Sequence, residues 1–209
     1  MSFGKAGFLY ALLVMTFILS GGAGAQTLSV SPADLADGHS VMEIAALDDN
    51  IWVGYEQGIY FSDNGGLSWN HYDTTNGYGR GVVTAAVVND SALWTATYYD
   101  TVIYGYDYYI NGGIYRTDPR VMAWDFIDIP GRQDAGNIIY DIDLGEEVVW
   151  TANWWAGLKK STDGGLNWES IVPDTTLFNP MDKHHHRIFS VAVSDEIICA
   201  GSQGGLNLS

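Results

Sequence analysis

Ser62-Asp63-Asn64-Gly65-Gly66-Leu67-Ser68-Trp69 and Ser161-Thr162-Asp163-Gly164-Gly165-Leu166-Asn167-Trp168 are one octapeptide written twice. A short acid or amide at its third position can accept backbone N–H groups within a tight turn. Gly66 and Gly165 can take backbone angles that a side chain resists, and Trp69 and Trp168 can pack back onto a hairpin. Reading outward, each copy closes a longer unit: an alternating apolar strand, a short turn, a second strand with a central aromatic, then Gly-apolar and a Ser or Thr. Four segments share that unit, beginning at Val41, Val83, Ile138 and Ile188. Trp52, Trp94, Trp150 and Cys199 hold equivalent positions at spacings of 42, 56 and 49 residues. Small residues follow in step, as Val53-Gly54, Thr95-Ala96, Thr151-Ala152 and Ala200-Gly201. The second unit keeps a worn octapeptide, Thr117-Asp118-Pro119-Arg120 before Trp124.

Units of about 40 to 50 residues with four short strands fit the blades of a β-propeller. The octapeptide, S-x-D-x-G-x-x-W with Asn64 in place of the acid in its first copy, resembles the Asp-box (BNR) repeat. That repeat marks the sialidase-like and sortilin-like propellers, and the resemblance spans roughly residues 40 to 209. It implies an all-β chain of four-stranded blades at 40–75, 82–129 and 137–174, with a partial fourth at 187–209. The ring would not close within this chain. Thr27–Val30 is expected as a strand lent to the final blade, and further blades are expected downstream of Ser209, with closure through association of copies as the alternative. In the first blade, strands are expected near Val41–Leu47, Ile51–Tyr55, Gly58–Ser62 and Trp69–Asp73. The resemblance gives Ser62, Asn64, Gly66, Trp69, Ser161, Asp163, Gly165 and Trp168 a structural role, away from any active site.

Of the 209 residues, 25 are acidic and 9 basic, for a formal charge of -16, which argues against nucleic acid and against anionic membrane surfaces. Cys199 is the only cysteine, so an intrachain disulfide and a thiol zinc site are excluded. At the amino terminus, Lys5 precedes the apolar run Ala6–Leu19 and the small residues Ser20–Ala25. The run is shorter than the roughly 20 residues that span a bilayer, and Ala23-Gly24-Ala25 fits a signal-peptidase site. Residues 1–25 therefore read as a signal peptide cleaved before Gln26. Residues 26–209 are then secreted, periplasmic or on the cell surface, without membrane insertion. A retained membrane anchor is the alternative.

The second unit carries a distinctive insert, Thr97–Asn111, with Tyr98, Tyr99, Tyr104, Tyr106, Tyr108 and Tyr109. Trp154 and Trp155 fill the corresponding loop of the third unit. Tyr and Trp give large contact area at low entropy cost and suit sugar faces or protein partners, so these eight residues are the candidate ligand contacts. An extended hairpin stacking its aromatics on itself is the competing reading of the insert. Asp141 and Asp143 share one face of a strand, where like charges could raise one pKa and yield a general acid; solvation of a strand edge is the alternative. Arg80 and Arg187 precede innermost strands, yet neither lies in the sequence context of a sialidase arginine, so no catalytic residue is assigned. His184-His185-His186 reads as an interblade loop rather than a metal site, and no metal or cofactor is expected. The reading is a secreted or periplasmic propeller that binds or scaffolds carbohydrate or extracellular protein. The alternative is part of a sialidase-like or glucanase-type glycoside hydrolase, because one fold hosts many functions.

Overall fold

Trp52, Trp94 and Trp150 sit near the start of their strands, and each is buried in a core shared between its own sheet and the next. The structure is a computed structural model and describes residues 40–131, 137–171, 187–194 and 197–208. The expected signal peptide (residues 1–25), the strand expected at Thr27–Val30 and the loop expected at His184–His186 lie outside the described residues.

The described residues are all-β, with every sheet a simple antiparallel meander. The first blade is β1 (Glu43–Leu47), β2 (Asn50–Tyr55), β3 (Gly58–Ser62) and β4 (Asn70–Tyr72). The second is β5 (Val82–Val88), β6 (Leu93–Ile103), β7 (Tyr106–Thr117) and β8 (Asp125–Ile127). The third is β9 (Ile139–Leu144), β10 (Val149–Asn153), β11 (Gly157–Ser161) and β12 (Glu169–Ile171). The fourth has three strands, β13 (Ile188–Val193), β14 (Ile198–Ser202) and β15 (Gly205–Leu208). The first strands of successive blades lie side by side, β1 on β5, β5 on β9 and β9 on β13. The four sheets form an unclosed arc of a propeller.

Large apolar residues of adjacent blade faces pack into shared cores. Trp52, Ile59 and Phe61 of the first blade meet Val83 and Leu93 of the second. Trp94, Ala96 and Ile114 meet Ile139, Ile142 and Val149, and Trp150 and Ala152 meet Ile188, Val191 and Ala200. A small residue stands two positions after each of these tryptophans (Gly54, Ala96 and Ala152), and at Gly54 it lets the sheets approach. A Cβ on Gly54 would stand 2.5 Å from Val83 Cγ1.

The octapeptide turns share one hydrogen-bond set. Ser62 Oγ accepts from Gly66 N at 2.8 Å, and Ser161 Oγ accepts from Gly165 N at 2.9 Å. Asn64 Oδ1 accepts from Ser68 N at 2.9 Å, and Asp163 Oδ1 accepts from Asn167 N at 2.8 Å. These bonds hold the Asp163 carboxyl below the usual carboxylate range. The distribution of burial is unequal, since Asp163 is exposed whereas Ser161 is 2% exposed. The buried turn donor, Gly165 N–H, thus depends on the serine. Ser161→Ala is expected to destabilise the protein by about 1–3 kcal/mol by orphaning that donor, and Asp163→Ala by less. Urea unfolding of both variants checks the order, and the reverse order would place the keystone of the turn at the acid.

Asp141 and Asp143 have a structural partner that the strand pattern did not reveal. Val191 N donates to Asp141 Oδ2 at 2.9 Å and Val193 N donates to Asp143 Oδ2 at 2.6 Å. The two carboxylates satisfy donors on the inner edge of β13, which no strand among the described residues pairs. Burial pushes the Asp141 carboxyl above its ordinary range, and Val191 N–H pulls the other way.

Candidate functional site

Strand register separates the two ends of the propeller. Ile51 pairs with Ser62 and Val149 with Ser161, so the octapeptide turns leave from the end where β2 and β10 begin. The opposite end carries the loops joining β2 to β3, β6 to β7, β10 to β11 and β14 to β15. Every ligand residue expected from the sequence lies at this second end.

The insert is a continuation of β6 and β7, with Ile103 opposite Tyr106. Its turn, Tyr104-Gly105, has positive φ at both residues (53° and 81°), the two-residue geometry whose twist matches paired strands. Directly opposed residues share a face, which sorts the tyrosines. Tyr98 opposes Asn111 and Asp100 opposes Tyr109, so Tyr98, Asp100 and Tyr109 share one face. Tyr99 and Tyr108 lie on the other, where the Arg80 guanidinium stacks on Tyr99 at 3.5 Å from the ring centroid. Tyr104 and Tyr106 are at the tip, largely exposed. The structure thus brings Tyr98 and Tyr109 together, edge to face with centroids 5.6 Å apart, and sends the other four elsewhere.

Three β-bulges aim further residues at the same end. Pairing passes from Val83↔Thr97 to Ala85↔Ala96, leaving Thr84 as the extra residue of β5. The same irregularity leaves Tyr140 extra in β9 and Phe189 extra in β13. A bulge frees its extra residue from the alternation of the strand and re-aims it. Thr84 and Tyr140 line an open cavity of about 240 Å³ together with Met42, Tyr98, Tyr109 and Ile138. Burial raises the pKa of the Tyr98 and Tyr140 phenols, with Tyr109 acting in the same direction on both.

Tyr140 also joins a second aromatic group. Trp154 is its hub, with ring centroids 5.8 Å from Tyr140, 5.1 Å from Phe189 and 6.4 Å from Trp155. Asn153 shapes the loop beneath the indoles by donating from Nδ2 to Gly157 O at 3.0 Å, and Trp154 N donates to Ile138 O at 2.9 Å. Arg187, leading into β13, stacks on Trp154 and Trp155 at 4.9 and 4.5 Å and donates from Nη1 to Gln203 Oε1 at 2.8 Å. Trp155 and Phe189 are each 41% exposed, so a half-open aromatic surface spans blades three and four. Thr84, Tyr140, Phe189 and Arg187 were not among the ligand contacts expected from the sequence. The available signal was the spacing of Ile139 and Ile142, and of Ile188 and Val191. Both pairs are buried three residues apart in strands whose normal same-face spacing is two.

No protein-family model matches the chain, and no curated protein matches its sequence. Solved structures do match by shape. The computationally designed Ika4 protein is 13% identical with a TM-score of 0.56, covering 90% of this chain and 98% of its own. The GH74 enzyme of Niastella koreensis is 15% identical with a TM-score of 0.55, and the GH74 xyloglucanase of Xanthomonas campestris is 18% identical with a TM-score of 0.54. They cover 78% and 77% of this chain, which spans about a quarter of their own lengths (26% and 25%). At these identities the likeness is one of fold, and it agrees with the arc of propeller blades described above.

Proposed function

We propose that the protein is an exported β-propeller module, released from its signal peptide before Gln26, that binds glycans at the end opposite the octapeptide turns. The observation that carries this reading is the half-exposed aromatic surface of Tyr140, Trp154, Trp155 and Phe189, contributed by two blades and braced by Arg187. Flat aromatic faces suit the C–H faces of sugar rings, and the polar edges of Tyr and Trp can bond their hydroxyls. Asp141 and Asp143 are engaged with the backbone of β13, which favours binding over acid–base catalysis by that pair.

Affinity electrophoresis through gels containing soluble neutral β-glucans tests the reading. Retardation is expected, and Trp155→Ala is expected to weaken it at least tenfold. Unchanged retardation in that variant, or none for the unaltered protein across the panel, would overturn the assignment. New reducing ends in the same gels would instead identify a hydrolase.

A further inference from the structure

We propose that the cavity between the insert and the inner strands binds an ammonium group of the methylated, choline-like class. Two features of its walls support this chemistry. Three of the six lining residues are tyrosines, contributed by β6, β7 and β9. Tyr98 and Tyr109 meet at an interplanar angle of 81°, so their rings form a corner rather than a flat platform. A cation placed over aromatic faces, within about 6 Å of their centroids, is held by the ring quadrupoles. A corner of rings closed by a third wall fits a compact, roughly spherical cation better than an extended sugar. Met42 and Ile138 complete the lining with apolar surface suited to N-methyl groups.

The surrounding charge has the right sign. Asp100 shares the cavity-side face of the insert with Tyr98 and Tyr109. The Asp100 and Glu56 carboxylates are both close enough to raise the Tyr98 pKa, and the whole chain carries a formal charge of -16. Arg80, the cation stacked on the insert, lies against Tyr99 on the opposite face. Negative potential at a cavity mouth concentrates cations there. This site is separate from the glycan surface except at Tyr140, and either assignment can fail without the other.

Isothermal titration calorimetry with choline and with its neutral isostere 3,3-dimethyl-1-butanol is the test. Choline is expected to bind at least tenfold more tightly than the alcohol. Tyr109 is 55% exposed, so Tyr109→Ala is compatible with the fold and is expected to weaken choline at least tenfold. Asp100→Asn is expected to weaken choline and leave the alcohol unchanged. Tyr99→Ala, on the far face, and Trp155→Ala, on the glycan surface, are expected to leave choline binding intact. Equal binding of the two probes, no binding of choline, or indifference to Tyr109→Ala would each overturn the proposal.

Discussion

Trp52→Ala is expected to cost about 3–5 kcal/mol, the range for removing a fully buried large aromatic side chain. Trp52 has no exposed surface, stacks on Phe61 at 5.1 Å between centroids and donates from Nε1 to Met122 Sδ at 3.5 Å. Its core also holds Val83 and Leu93 of the next blade. The void therefore opens between two sheets, and neither can collapse into it without pulling on its own strands. Guanidinium unfolding followed by far-UV circular dichroism gives the cost. Trp155→Ala, at a half-exposed indole that still touches Trp154 and Arg187, serves as the comparison and is expected to cost about 1–2 kcal/mol, the worth of one aromatic pair and one exposed cation–π contact. A loss below about 1 kcal/mol for Trp52→Ala would mean that the first two blades do not share a core.

Gly81→Ala is the second large effect. Gly81 has a φ of +95°, and a Cβ there would stand 2.0 Å from the Tyr98 carbonyl oxygen. That oxygen is backbone, so no rotamer change relieves the overlap. Overpacking costs about 1–3 kcal/mol, and holding a non-glycine residue at positive φ adds about 1–3 kcal/mol. The clash falls at the base of the tyrosine hairpin, so the same substitution is expected to weaken choline binding more than Tyr99→Ala does. Thermal unfolding and calorimetry on one preparation measure both effects. A melting temperature equal to that of the parent would show that the hairpin is not seated against Gly81.

The blades were legible because their signals are local. Strand alternation, the recurring Trp and the octapeptide each occupy a few consecutive residues, and a repeat shows each of them more than once. Boundaries in the first blade shifted by no more than two residues, with β1 starting at Glu43 and β4 at Asn70. The tyrosine insert was also visible, but not its division into two faces, because that depends on which residues oppose each other across β6 and β7. The contributions of Thr84, Tyr140 and Phe189 were hidden for a similar reason. A bulge is a property of a pair of strands, and its only trace in one sequence is a three-residue apolar spacing such as Ile139 to Ile142, which does not say which residue is extra. The partners of Asp141 and Asp143 were hidden by distance, since each reaches a backbone amide 50 residues away.

The inner-strand bulges have a consequence for how such a protein diversifies. In a regular strand each residue is tied to its neighbours by alternation, so an insertion or a change of size carries into the core. Thr84, Tyr140 and Phe189 stand outside that alternation. Each can be exchanged for a larger, smaller or more polar side chain while the buried faces around Trp94 and Trp150 keep their parity. Three positions on three blades thus form a set of interchangeable contacts on a fixed frame. Descendants of one ancestral scaffold could acquire new ligand preferences there by single substitutions, without first having to regain stability.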